Sequence, residues 1–205
     1  MNGFIDIKPT VLCSFGVNGA LSAYSWAPVV DVRPENVQWS LITGFADGNI
    51  TAQKLSNQAS IAAAGVLVLP SRPRKLSVLV DNNETGAVDE TLFGIVVRGL
   101  ADASSLVIAA IHRTPAGVKT LEFVDETGAV IGATSTINLG TTDLAVEQAL
   151  VVMDNGTDIV ASYAGYTVRC TITSQAYTPG LCGLCFFLAS STANKQTFDN
   201  FRVQL

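Results

Sequence analysis

Glycine, serine, threonine and asparagine break this chain at intervals of roughly eight to twelve residues, and short runs of β-branched and aromatic side chains lie between the breaks. Apolar residues recurring three and four apart, the mark of an amphipathic helix, are hard to find anywhere. This punctuation leaves little besides short strands. The runs fall at 49–55, 66–69, 76–80, 92–98, 106–113, 118–124, 129–134, 149–153, 158–163, 166–173, 183–189 and 198–205. So many short strands in one chain predict an all-β fold, a two-sheet antiparallel β-sandwich. Two segments, 56–64 and 141–148, have room for a helical turn, and 60–64 holds good helix formers.

Turn chemistry pins part of the order. Asn155-Gly156 supplies the two positive-φ residues of a type I′ turn, so the strands on either side should pair as a hairpin. A second hairpin is expected around Asp125-Glu126-Thr127-Gly128. Ile95-Val96-Val97 and Val107-Ile108-Ala109-Ala110-Ile111 are apolar throughout, whereas a strand covered on one face should alternate. A second covered surface is therefore expected, supplied by loops or by another subunit. Only 14% of the residues are charged and 48% are hydrophobic, which excludes a disordered chain and points the same way, to a homo-oligomer or larger assembly. The net charge of −5 argues against a nucleic-acid-binding surface. No repeat or linker divides the 205 residues.

The start of the chain lacks a basic region ahead of an apolar stretch, and the longest apolar run, 61–69, is about half of a membrane span. The expectation is a soluble protein made in a cytoplasm, with no membrane partner. Cys182 and Cys185 are spaced like a metal or redox pair, but on a strand residues three apart face opposite sides, so they read as buried thiols, as do Cys13 and Cys170. The basic loop Ser71-Arg72-Pro73-Arg74-Lys75 reads as a solvated turn more readily than as a contact for an acidic partner.

The C-terminal end carries a family pattern. Gly180-Leu181-Cys182-Gly183-Leu184-Cys185-Phe186-Phe187, then Ser190-Ser191-Thr192-Ala193-Asn194, then Phe198-Asp199-Asn200-Phe201-Arg202-Val203 resembles the closing strands of concanavalin A-like (laminin-G-like) jelly-roll domains. Upstream, Phe15-Gly16-Val17-Asn18-Gly19-Ala20-Leu21 and Trp39 are similar to that family's N-terminal pattern. The resemblance implies a concanavalin A-like jelly roll over residues 14–205, with 1–13 as an N-terminal arm or first strand. Versions this poor in charge resemble bacteriophage virion proteins, which implies a virion location and other virion proteins as partners. In the last strand, simple alternation puts Phe201, Val203 and Leu205 in the core with Asp199 at the inward end, bonding a preceding turn or binding a cation.

Candidate sites are few. Glycosidases of this fold place carboxylates at E-x-D-x-x-E, and Glu122-Phe123-Val124-Asp125-Glu126 lacks that spacing. His112 is the only histidine, and there is no nucleophile elbow or phosphate loop. No catalytic residue is assigned and no enzyme is expected. Asp81, Asn83 and Asp199 are weak calcium candidates, the only cofactor entertained. Tyr24 and Trp26, two apart in a Ser/Ala/Pro-rich loop, have the spacing to stack on a sugar ring. Phe4, Ile5 and Ile7 suit a docking arm that adds a strand to a neighbour. The leading expectation is a non-enzymatic virion structural protein, in capsid decoration, cement, tail or fibre, acting by protein–protein packing. The alternative is a carbohydrate-binding, lectin-like module attaching to a host glycan.

Overall fold

The computed structural model describes residues 10–13, 19–20, 25–26, 37–38, 40–41, 49–51, 54–56, 63–69, 71–82, 90–100, 102, 104–132, 135–140, 147–172, 178, 180–188 and 196–205. Among these the regular elements are all strands. The first are β1 (Thr10–Cys13), β2 (Gly19–Ala20), β3 (Ser25–Trp26), β4 (Val37–Gln38), β5 (Ser40–Leu41) and β6 (Asn49–Thr51). Next come β7 (Lys54–Ser56), β8 (Ala63–Val68), β9 (Lys75–Asn82), β10 (Thr91–Gly99), β11 (Leu106–Arg113) and β12 (Lys119–Val124). The last are β13 (Ile137–Gly140), β14 (Gln148–Asp154), β15 (Asp158–Tyr163), β16 (Tyr166–Thr171), β17 (Leu181–Leu188) and β18 (Gln196–Gln204). Among the described residues no helix is long and apolar enough to cross a membrane.

Two antiparallel sheets make the sandwich. The larger runs β16-β15-β14-β9-β18-β7-β6-β2, with β1 also paired to β18, and the smaller runs β13-β12-β11-β10-β17-β8-β5. Strands β3 and β4 form a separate ribbon. Alternation sends Leu76, Val78 and Val80 of β9 and Phe93 and Ile95 of β10 into one buried core between the sheets. Phe198 sits at its centre, its ring 4.8 Å from that of Phe186 and 5.9 Å from that of Phe93.

The apolar strands noted in the sequence have a second buried cluster on the outer face of the smaller sheet, including Val66, Leu92, Val96, Ile108, Ala110 and Val124. That burial is complete within one chain. The cover these strands require therefore lies inside the molecule, and a neighbouring subunit is not needed to explain it.

Several local expectations are corrected. The β14–β15 hairpin forms, but its loop is Gly156-Thr157: the N–H of Asn155 donates to the carbonyl of Asp158 at 3.1 Å. Asn155 is not among the positive-φ residues; its side chain accepts from the N–H groups of Thr157 and Asp158 at 3.1 and 2.8 Å. The stretch 129–134 does not form a strand over its described residues. After the Asp125–Gly128 turn a single bridge joins Val130 to Val124, and β12 pairs with β13 instead. Residues 63 and 64, expected in a helical turn, begin β8 because they pair with Phe186 and Cys185. Of the segment 1–13, expected as an arm or a first strand, the described residues 10–13 form β1 against β18. In β18 a bulge between Asp199 and Arg202, with Asn200 at φ 51°, shifts the alternation. Phe198 and Phe201 both enter the core, and Asp199 faces outward with Arg202, opposite to the inward placement that unbroken alternation predicts.

Candidate functional site

One end of the sandwich is built around a misaligned strand. Between Val96 and Arg98 the β10–β11 register slips by one residue, so Val97 and Arg98 both point inward. The re-aimed Arg98 crosses to the other sheet. Its Nε donates to Oδ2 of Asp154 at 2.7 Å, one Nη donates to Oδ1 of the same carboxylate, and that Nη also reaches the carbonyl of Gly156 at 2.7 Å. Both side chains are buried. Asp154 in turn accepts from the N–H of Gly156 at 2.8 Å, so one carboxylate ties the two sheets to the hairpin turn.

The loop between β8 and β9 lies against that turn. The backbone of Arg74 joins its neighbours, its N–H donating to Gln204 at 2.8 Å and its carbonyl accepting from Asp154 at 2.9 Å. The Arg72 guanidinium lies over Gly156, where an added Cβ would meet Nη1 at 2.8 Å and Cζ at 3.4 Å. Between loop and hairpin is a recess of about 460 Å³. Arg72 and Arg74 form one wall, Asp154, Asn155 and Asp158 another, and the exposed Met153 with the half-buried Val160 give it an apolar side.

The charges of this recess do not cancel. Asp154 is engaged by Arg98, and Asp158 by Arg169 and by the hydroxyl of Thr171 at 2.7 Å. The Arg169 guanidinium holds the Asp158 carboxyl below its ordinary range. Arg72 and Arg74 form no ion pair among the described residues, and Nε of Arg72 is buried without a hydrogen-bond partner. Among the described residues, two arginines thus stand uncompensated beside two carboxylates that are already neutralised. The basic loop read in the sequence as a solvated turn is one wall of a recess.

A second group of titratable side chains lies on the outer face of the smaller sheet. His112 bridges two carboxylates, with Nδ1 2.8 Å from Glu122 and Nε2 2.9 Å from Glu90. Thr120 donates to the other oxygen of Glu122 at 2.8 Å. The hydrogen bond to Glu122 raises the His112 pKa against the opposing effect of burial, and Glu90 adds to the rise. Glu122 is buried, Asp125 is spent on its own turn through the Thr127 and Ala129 N–H groups, and Glu126 accepts from the N–H of Leu106. Each of the three acids is thus held by different partners.

Of the remaining sequence candidates, Phe4, Ile5, Ile7, Tyr24 and Asn83 lie outside the described residues. Trp26 belongs to the β3–β4 ribbon, in register with Val37. Asp81 and Asp199 share the outer face of the larger sheet, but the cation beside Asp81 is the Lys54 ammonium, 3.1 Å from Asp81 and 3.3 Å from Glu147. Asp199 accepts from the N–H and side-chain amide of Asn200 at 2.7 and 3.0 Å, capping its own bulge. Cys182 faces the core and Cys185 the outer cluster; burial raises both thiols, Cys185 to about 12. The sequence reading missed Arg98 and Asp154, because a bulge that turns an arginine inward leaves no periodic trace.

No protein-family model and no curated protein matches the chain. Solved structures do. A β-glucanase of Bacillus licheniformis superposes with a TM-score of 0.56 at 10% identity, covering 97% of this chain and 99% of that one. The carbohydrate-binding module CBM66 of Bacillus subtilis gives 0.51 at 10% identity, covering 81% and 95%. A Trypanosoma rangeli sialidase in complex with sialic acid gives 0.57 at 13% identity; it covers 94% of this chain, which spans 30% of the sialidase. The fold is a concanavalin A-like jelly-roll sandwich. The expectation that the chain is no enzyme is corrected here, because the solved structures that share the fold include glycosidases. At these identities the likeness is one of fold.

Proposed function

We propose that this chain recognises carbohydrate through the recess between the 71–74 loop and the β14–β15 hairpin. The observation that carries the reading is the pair of arginines, Arg72 and Arg74, that form no ion pair among the described residues and wall a recess with an apolar side. Such a mixture suits a sugar, whose hydroxyls and charged substituents seek donors while its C–H faces pack on apolar atoms. The fold supports it, since a carbohydrate-binding module and a β-glucanase share this sandwich. The setting we propose is the surface of a bacteriophage particle, on the family resemblance and the sparse surface charge. The packing role in a capsid or tail remains the competing reading of that setting.

A glycan array probed with the labelled full chain tests recognition. Saturable binding to one glycan class supports it, and an array without saturable signal overturns it. Scattering on the same sample reads the packing role, which a stable oligomer without glycan binding favours. Repeating both with EDTA reads the calcium expectation at Asp81, Asn83 and Asp199. Release of reducing ends from any bound glycan shows whether recognition is coupled to cleavage.

A further inference from the structure

The uncompensated positive charge extends beyond the recess. Across the outer face of the larger sheet, Arg169, Val160, Met153, Lys75 and Gln204 follow one another in register on β16, β15, β14, β9 and β18. The adjacent row is Thr167, Ser162, Val151, Ser77 and Arg202. Lys75 and Arg202 are exposed, and among the described residues neither forms an ion pair. Arg72, Arg74, Lys75 and Arg202 therefore gather at one corner of a chain whose net charge is −5. On the same face, across β14 to β16 from Lys75, lie the exposed thioether of Met153 and the hydroxyls of Ser162 and Thr167, 3.1 Å apart.

From this placement we infer that the ligand is an acidic saccharide, carrying carboxylate or sulfate groups, whose anionic substituent is held by Arg72 and Arg74 while the chain continues over the β14–β9–β18 face. The inference rests on the carbohydrate reading and names its chemical class. A guanidinium presents a planar fork that matches carboxylate and sulfate oxygens, and Arg72 and Arg74 both line the recess without an ion pair among the described residues. Five strands at a spacing of about 4.8 Å give a face roughly 20 Å across, enough for several sugar units. Nucleic acid fits less well. The described residues lining the recess include no aromatic ring on which a base would stack.

Titration calorimetry on the full chain tests the inference with polygalacturonate, chondroitin sulfate, neutral dextran and a single-stranded DNA oligonucleotide as probes. At least one acidic polysaccharide should bind, dextran and DNA should not, and affinity should fall as salt is raised. The Arg72→Ala/Arg74→Ala chain should lose at least about tenfold in affinity, and Arg72→Lys, which keeps the charge but not the fork, should lose several-fold. Arg202→Ala, at an exposed site, should weaken binding less and leaves the fold unburdened. Dextran binding that the arginine substitutions do not alter would overturn the acidic assignment and leave carbohydrate recognition standing. DNA binding with the same arginine dependence would overturn the saccharide assignment. No binding of any polysaccharide overturns both.

Discussion

Arg98 and Asp154 show what one side chain does when its strand is out of register. The guanidinium and carboxylate are desolvated together and satisfy each other through two bonds, with Gly156 taking a third. Removing one partner strands the other charge in the core. Arg98→Met should therefore cost about 3–5 kcal/mol in urea unfolding, and the double change Arg98→Met/Asp154→Leu should recover most of that loss. His112 behaves differently because it titrates. Its folded pKa is raised by Glu122 and Glu90, so its contribution is fully present below the unfolded value of about 6.5 and fades as pH rises through the folded pKa. The stability gap between the parent chain and His112→Asn should be widest near pH 5.5 and should shrink toward pH 8.5, as read from urea midpoints. A gap that grows with pH would contradict the assigned direction.

Strands and turns were legible in the sequence to the extent that their signals are local. The segments 106–113 and 158–163 coincide with β11 and β15, because β-branched runs bounded by turn residues need no distant partner to be recognised. Bulges are the counterexample. Asn200 and Val97 each insert one residue, and each turns a side chain against simple alternation: Asp199 goes outward and Arg98 inward. The break between 163 and 166 was legible, but not that its turn places Ala164 at φ 51°, a conformation that alanine seldom signals. The hairpin that walls the recess allows a direct comparison of two glycines. Gly156→Ala strains a φ of 109° and pushes into the Arg72 guanidinium, whereas Gly165→Ala strains a φ of 83° with open space around it. Both should lose about 1–2 kcal/mol in urea unfolding. Only Gly156→Ala should also weaken binding of an acidic polysaccharide in the same titration, because only there is the clamp displaced.

At the scale of the whole molecule, the two-sheet sandwich was readable from punctuation and its concanavalin A-like character from the resemblance of the closing Phe198-Asp199-Asn200-Phe201 pattern, while the candidate site was half readable. The basic loop and the Asn155-Gly156 turn were each visible, but they are 80 residues apart, and only the pairing of β9 with β14 brings them together. The same pairing sets the charge balance, since Asp154 and Asp158 lie beside Arg72 and Arg74 yet are neutralised by Arg98 and Arg169. The most direct test is a nitrogen-15 NMR titration that follows backbone amides and arginine Nε–H signals as the tightest-binding acidic oligosaccharide is added. The largest changes should fall on the side chains of Arg72 and Arg74 and on the amides of Met153 and Gly156. Changes centred instead on His112 and Glu122, or an unperturbed spectrum at saturating ligand, would contradict the account.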